Sequence, residues 1–441
     1  MHKLRIVRFL LRGFIFRIIF TVIGFLISLL IAKLAGANQF GSLSLIIVNA
    51  AFIYIITGLG TDSAIVWHGI SGDSYSRNKV FSFTIITASI QLLFFYIIAI
   101  LGFLFLGHTL LGGSFDLNVF FAEVIYFTGL VLLDKFLSLY YSQHEAKLCN
   151  KILAIASGIL FLIVLILWAV KPDLIVKYPI WTYSLFVSIP ALILFVFFIL
   201  KFRPSVKSIS QEEYRSFSSF SAIVLITNII QFIAYRADYW FISSYYDHDA
   251  VGIYAQVSKF AQLLWIIPGI LAGLLTPALK NEHQKLTDNA FIAICKLSFY
   301  IHIVLGLILI VISLLIYQFF LPAVYFDGFY SLLIMLPGYL LFTITTILSA
   351  YFSANRLLKV NLIASVICCG LMLLLDFLLI PTMSYKGAAI ANLFAYAIAT
   401  FYIIARSMTF IKTSLKELFI LRKSDFDLFS SQAIKIDNQN T

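Results

Sequence analysis

Residues 80–107 read VFSFTIITASIQLLFFYIIAILGFLFLG, a run without one charged side chain. A helix that crosses a bilayer needs ~20 mainly apolar residues, and this stretch exceeds that. It has company along the whole chain. Breaking the sequence at charges, Gly, Pro and Asn yields further spans at about 12–34, 42–66, 118–141, 152–170, 180–202, 218–242, 251–279, 291–320, 329–353, 360–381 and 387–408, twelve in all. Of the 441 residues, 62% are hydrophobic and 12% charged, against about 45–50% apolar and about 25% charged in an ordinary globular domain. One water-soluble core cannot hide that much apolar surface. The expected fold is an all-α integral membrane protein with no substantial soluble domain.

The net charge of +11 would suggest nucleic acid in a soluble protein, but the basic residues lie in short connections, so no nucleic-acid partner is expected. Lys3, Arg5, Arg8 and Arg12 precede the first span. Alternate loops carry Arg77, Lys79, Lys147, Lys151, Lys201, Arg203, Lys207, Arg215, Lys280, Lys285, Arg356 and Lys359, and the tail adds Arg406, Lys412, Lys416, Arg422, Lys423 and Lys435. The opposite loops hold only Lys171, Lys177 and Lys386. Cytoplasmic loops are enriched in Lys and Arg, so both termini are expected inside. The basic start runs directly into an apolar stretch, which reads as a retained first helix and not a cleaved leader.

Cys149, Cys295, Cys368 and Cys369 form no CxxC pair and no Cys/His cluster, so neither a disulfide framework nor a zinc site is expected. No GxxxxGK[ST] motif is present, which excludes an ATPase within the chain. No cofactor is expected.

The two halves match at a shift of 211 residues: Gly41 with Gly252, Gly58 with Gly269, Tyr140-Tyr141-Ser142 with Tyr351-Phe352-Ser353, and Asn150 with Asn361. The span starts at 80 and 291, and at 118 and 329, follow the same shift. Six spans per copy is an even number, so both copies insert the same way up. Such parallel repeats build transporters around a pseudo-two-fold axis along the membrane normal. The expected organisation is an N-lobe over 1–202, a cytoplasmic linker over 203–217, a C-lobe over 218–408 and a cytoplasmic tail over 409–441.

Residues 232–280, FIAYRADYWFISSYYDHDAVGIYAQVSKFAQLLWIIPGILAGLLTPALK, carry Asp238, the Gly252-Ile253-Tyr254 start, Pro268 and Pro277. This segment resembles the seventh and eighth helices of polysaccharide transporters in the multidrug/oligosaccharidyl-lipid/polysaccharide (MOP) exporter superfamily. Residues 351–392 resemble the same family's tenth-to-twelfth-helix region, through Ile380-Pro381 and Gly387-Ala388-Ala389, and LAGANQFGSLSLI at 34–46 is similar to its first outer loop. Asp376 departs from the pattern, where Asn or an apolar residue is expected. The resemblance implies a multi-pass protein of the bacterial inner membrane that flips an undecaprenyl-pyrophosphate-linked oligosaccharide, such as an O-antigen repeat unit of lipopolysaccharide, to the periplasmic leaflet. Its implied partners are that lipid-linked glycan, membrane lipids and other polysaccharide-assembly proteins.

Ionisable residues at membrane depth cost ~2.5–3.5 kcal/mol on insertion scales and mark pathways by default. Arg17, Lys33, Lys135, Arg236, Lys259 and Lys296 fall inside the spans. Lys33 sits at a helix end and snorkels. Arg17 and Lys296, near the cytoplasmic side, are open to snorkelling or to substrate contact. Arg236 and Lys259 lie at matching depth, seven or eight residues from one outer loop, and are candidates for holding an anionic diphosphate, Arg by a bidentate fork and Lys as a point charge. The alternative is an internal Lys259–Asp238 ion pair. Glu123 and Asp134, eleven residues apart, share a helical face and could serve cation coupling or pair structurally. Asp62, in GLGTDS, is a gating candidate or a helix-end residue. Asp376 receives no role. Pro268 and Pro277 should kink the eighth span, with Gly269 and Gly273 adding freedom. A Tyr such as Tyr235 could stack on a sugar ring, while most of the aromatic load suits lipid and interface.

Two other classes compete. A drug/cation antiporter of the same superfamily would favour an acidic cavity over a basic one. A membrane polysaccharide polymerase would need a larger extramembrane loop than any here.

Overall fold

The protein is described by a computed structural model that covers residues 2–69, 74–280, 288–411, 413–422 and 425. Lys285, the Pro277 ring and residues 426–441 lie outside the described residues. Among those described there are fifteen α-helices and no strand: α1 (His2–Gly58), α2 (Thr61–Gly69), α3 (Ser74–Leu106), α4 (Leu117–Ser142), α5 (Ala146–Val170), α6 (Pro172–Lys177), α7 (Pro179–Phe202), α8 (Gln211–Tyr245), α9 (His248–Gln262), α10 (Ile266–Lys280), α11 (Asp288–Phe319), α12 (Phe326–Ala354), α13 (Leu358–Met383), α14 (Tyr385–Phe410) and α15 (Leu415–Phe419). A helix satisfies its own backbone hydrogen bonds, which hydrocarbon cannot do for it.

Among the described residues, ten helical stretches are long and apolar enough to cross a membrane. The first, Ile15–Gly58, has 44 residues, roughly 66 Å at 1.5 Å per residue, about twice a ~30 Å hydrocarbon core. Gly36, with φ 78° and ψ 176°, breaks it in two, so α1 holds the first expected span and the second as far as Gly58, the rest of which falls in α2 after a break at Leu59–Gly60. The seventh expected span is α8, which is not among the ten. Thr227, Asn228, Gln231, Arg236 and Asp238 dilute its apolar run.

The chain forms two compact units, Met1–Phe232 with Asp247–Gly252, and Ile233–Tyr246 with Ile253–Thr441. In the first, α4 and α7 pack through small residues, as helices do in lipid. A Cβ on Gly129 would stand 2.2 Å from Ser188 Oγ, and Ser184 and Ser188 donate to the carbonyls of Ala122 and Ile125, both at 2.8 Å. The stretch 203–210 lies along α3: the amides of Ser205 and Lys207 donate to Asn78 Oδ1 (3.1 Å) and Ser82 Oγ (2.7 Å). Lys79 pairs with Glu213 and holds that carboxyl below its ordinary range. The eighth expected span is interrupted by a 3₁₀ turn at Leu263–Trp265, three residues before Pro268. A proline cannot donate to the carbonyl four residues back and its ring crowds that carbonyl, here Leu264, so the break falls where the proline's clash falls.

Within the first unit, α1 and α9 approach so closely that a Cβ on Gly41 would lie 1.8 Å from the His248 carbonyl oxygen, and one on Gly252 would lie 2.0 Å from that of Ala37. Ala37 and His248 are 211 residues apart, as are Gly41 and Gly252. The contact is therefore self-reciprocal, the signature of an isologous two-fold contact. Gly41→Val or Gly252→Val is expected to cost at least about 1–3 kcal/mol by overpacking, seen as a lowered Tm and reduced monodisperse yield in detergent. Gly269→Ala, where nothing lies within 4 Å of the added Cβ, should leave both unchanged.

Candidate functional site

In the first unit the GLGTDS sequence makes a sharp break. Leu59 (φ 51°) and Gly60 (φ 69°) are left-handed, and Thr61 Oγ1 donates to the Gly58 carbonyl at 2.6 Å. Lys135 of α4 is 0% exposed and holds this break from the side. Its Nζ donates to Thr61 Oγ1 at 2.5 Å and lies 3.0 Å from Asp62 Oδ1. Tyr54 donates to Asp62 Oδ2 at 2.5 Å. Asp134 stands within electrostatic reach of Asp62 and Arg17. Arg17 lies 5.4 Å over the Phe20 ring, and its Nη1 is buried without a hydrogen-bond partner. Arg17, Asp62 and Asp134 therefore belong to one cluster. Glu123 belongs elsewhere: buried at 2% exposure, it accepts from Thr109 at 2.7 Å, and Thr109 in turn receives the Gly113 amide, so it organises the 107–116 loop.

The second unit contains a different set. Asp238 of α8 accepts from Tyr254, from Asn392 Nδ2 at 3.2 Å and from the Tyr239 amide at 2.9 Å. Asn392 also donates to Tyr254 Oη at 2.9 Å. Asp376 of α13 is 0% exposed, neither carboxyl oxygen has a hydrogen-bond partner, and it lies in the electrostatic field of Asp238. A bare buried carboxylate is too costly to persist, so the pair must carry a proton or take a cation. Two roles for these carboxyls are thus chemically open, and both add positive charge. No group of three or more His, Cys, Asp or Glu residues suited to a metal ion occurs among the described residues.

Two residues before Asp238, Arg236 donates through Nη2 to Gln262 Oε1 at 3.1 Å and lies 5.6 Å over the Tyr239 ring. Lys259 is half-buried and within electrostatic reach of Arg236. Gln262 ends α9, immediately before the break that precedes the buried Pro268. Arg236, Lys259, Asp238 and Pro268 thus come from α8–α10, and tertiary packing adds Asp376 and Asn392 from α13 and α14. Sequence reasoning assigned neither of those two a role. Asp376 was visible as a deep acid without a partner, whereas Asn392 differs from any other polar residue only by where α14 packs.

Lys296 is also in the second unit, but its ammonium is engaged by the tail. It donates to Asp425 Oδ1 and Oδ2 at 2.9 and 2.8 Å. Around this pair Tyr300 donates to the Phe419 carbonyl at 2.9 Å, Leu418 is buried in the core, and Ser414 and Glu417 form a capping box. Burial alone would raise the Asp425 carboxyl, but Lys296 and the Arg422 amide draw it below its ordinary value. A depressed carboxyl contributes stability at neutral pH that is lost as pH falls through the folded-state value.

The family profile of polysaccharide biosynthesis proteins matches residues 10–280. The chain belongs to that family. No curated protein matches it in sequence. Among solved structures, this family member resembles "Lipid II flippase MurJ, inward closed conformation" with TM-score 0.68 and 17% identity over 92% of this chain and 88% of that one. It also resembles an inward-facing multidrug resistance MATE transporter of the MOP superfamily (TM-score 0.62, 11% identity, 89% and 94% covered) and the eukaryotic MATE transporter AtDTX14 (0.61, 14%, 94% and 97%). At such identities the likeness is one of fold, shared with these flippase and MATE transporter structures.

Two outcomes follow for this polysaccharide biosynthesis protein. Lys135→Met should destabilise the first unit by roughly 3–5 kcal/mol, because it leaves Asp62 without its cation, and Asp62→Asn in the same chain should recover part of that loss; Tm measurements read both. Lys296→Met, or acidification through the depressed Asp425 value, should free the tail, read as faster amide exchange over residues 413–422.

Proposed function

We propose that the protein is a flippase that moves an undecaprenyl-pyrophosphate-linked oligosaccharide, of the O-antigen repeat-unit kind, from the cytoplasmic to the periplasmic leaflet of the bacterial inner membrane. It works by alternating access, with both termini cytoplasmic, and performs no covalent chemistry. The observation that carries this reading is the setting of Arg236. Its guanidinium is bonded to neutral partners, Gln262 and Tyr239, while the acid two residues away is engaged by Tyr254, Asn392 and an amide. Lys259, within electrostatic reach, sets a second basic side chain beside it. A diphosphate has the matching charge and geometry, since guanidinium binds phosphate oxygens bidentately. Arg17 of the first unit, with a buried unpartnered Nη1, is by itself a further candidate for contact with phosphate.

Asp238 and Asp376 are the coupling pair in this reading, with a cation or proton moving through them down its gradient. Each charge moved across 100 mV supplies roughly 2.3 kcal/mol. The same carboxylates favour the competing reading, a drug/cation antiporter, because buried acids suit a cationic cargo. The cargo decides between them.

Deletion of the gene in its native host should remove surface polysaccharide on a gel and accumulate lipid-linked glycan; normal display would sink the flippase reading. The Arg236→Ala, Lys259→Ala double variant should insert normally and restore less than a tenth of the display. Asp376→Asn should retain glycan binding while transport loses its dependence on the ion gradient, with sodium and pH varied separately to identify the coupling ion. If the arginine–lysine variant keeps full display but Asp376→Asn abolishes resistance to a cationic drug, the antiporter reading replaces this one.

A further inference from the structure

Beside Arg236 lies a group of aromatic rings that neither diphosphate binding nor ion coupling uses. Trp265, the last residue of the 3₁₀ break, stacks on Tyr339 at 4.4 Å and 14°. Tyr235 of α8 and Phe342 of α12 lie 5.3 Å from Trp265, and Tyr396 of α14 closes the group from below at 5.5 Å. Tyr339 and Tyr396 are buried, whereas Tyr235, Arg236, Gln262, Trp265 and Phe342 are all half-exposed. The cluster therefore has a floor and an accessible rim, and its rim carries a guanidinium and an amide.

Three features point to a ligand and not to packing alone. First, the Trp265 Nε1–H is buried with no hydrogen-bond partner, although a buried indole N–H normally finds an acceptor. Second, Gly269 and Gly273 on the following helix are exposed, with nothing within 4 Å of where a Cβ would stand, so the surface beyond the break is open. Third, the positions 211 residues earlier for Tyr235, Arg236, Gln262, Trp265 and Phe342 are Gly24, Phe25, Ala51, Tyr54 and Val131. The other half of the repeat folds without an arginine, an amide or a tryptophan at these places, so a six-helix unit does not require them.

We infer that this rim is a saccharide subsite, in which a hexose ring lies against Trp265 and Tyr235 while its hydroxyls bond Arg236 and Gln262. The chemistry is specific to sugars. The axial C–H face of a pyranose is apolar and packs on an aromatic face, whose π cloud is electron-rich. Its hydroxyls each donate and accept, and the Gln262 amide and Arg236 guanidinium supply planar donors, with the Gln262 oxygen as acceptor. A largely apolar pocket with a few placed polar groups is how small-molecule sites set orientation. The sugar nearest the diphosphate falls here because Arg236 serves both groups. This inference rests on the flippase reading and adds to it the part of the cargo that the second unit recognises.

The test uses full-length protein in lipid nanodiscs and two probes: the lipid-linked glycan that accumulates in a deletion strain, and synthetic undecaprenyl pyrophosphate without sugar. Wild type should bind the glycan-bearing probe at least tenfold tighter than the bare one. Trp265→Leu and Tyr235→Leu should each erase most of that preference while changing affinity for the bare probe less than twofold. Trp265→Phe, which keeps a ring, should retain part of the preference and show that folding is intact. Equal affinity of wild type for both probes, or equal weakening of both by Trp265→Leu, overturns the subsite and leaves the flippase standing. A deletion strain that accumulates no lipid-linked glycan removes the flippase and the subsite together.

Discussion

Hydrocarbon solvates neither a peptide group nor a charge, and each feature of this protein is a way of meeting that constraint. The backbone meets it by being helical almost throughout the described residues, since a helix closes its own N–H···O=C bonds. Side chains meet it by segregation, with Leu, Ile, Val and Phe left on the exposed faces of α3, α5, α11 and α13 and polar groups turned inward. Where the chain departs from a regular helix inside a span, something nearby compensates. Lys135 and Tyr54 close on Thr61 and Asp62 at the left-handed break after Gly58. At the break in the eighth span Gln262 is bonded by Arg236.

The same constraint sorts the buried charges by how they are partnered. Lys296 and Lys135 are deeply buried, and each has a carboxylate partner at bonding distance; removal of either partner would be felt as lost stability. Arg236 is held by neutral groups, and Asp376 by no hydrogen bond at all. An ionisable group so placed at membrane depth is of the kind that marks a pathway by default. The two units keep these sets at positions that do not correspond under the 211-residue shift. Asp238 answers to Ile27, Asp376 to Leu165 and Asn392 to Trp181. The halves thus match at packing positions such as the glycine contact of α1 and α9 and differ at these ionisable ones.

A 211-residue internal match, a basic pair near a broken helix and membership of a polysaccharide family are consistent with one another. Fold alone does not name a cargo, since lipid flippases and drug transporters share this one. Around Arg236 lie neutral hydrogen-bond partners and a group of aromatic rings, and the proposed anionic, sugar-bearing cargo rests on that chemistry.

Much of this architecture was legible in the residues. Apolar runs such as 80–107 can be nothing but lipid-exposed helices, so their existence follows from solvation alone, and Pro268 announced the break in the eighth span through the hydrogen bond it cannot donate. The position of Arg236, Lys259 and Asp376 within long helical runs was likewise readable. Partnership was not. Glu123 and Asp134 share a helical face by periodicity, yet one serves a loop and the other a cluster with Arg17 and Asp62, because helical spacing fixes direction but not the neighbour that occupies it. Lys296 meets Asp425, 129 residues away, and Asp238 meets Asn392 across 154. Contacts at such separations are decided by which helices pack together, and only the tertiary structure, where close approach is set by glycines, serines and shape, determines that.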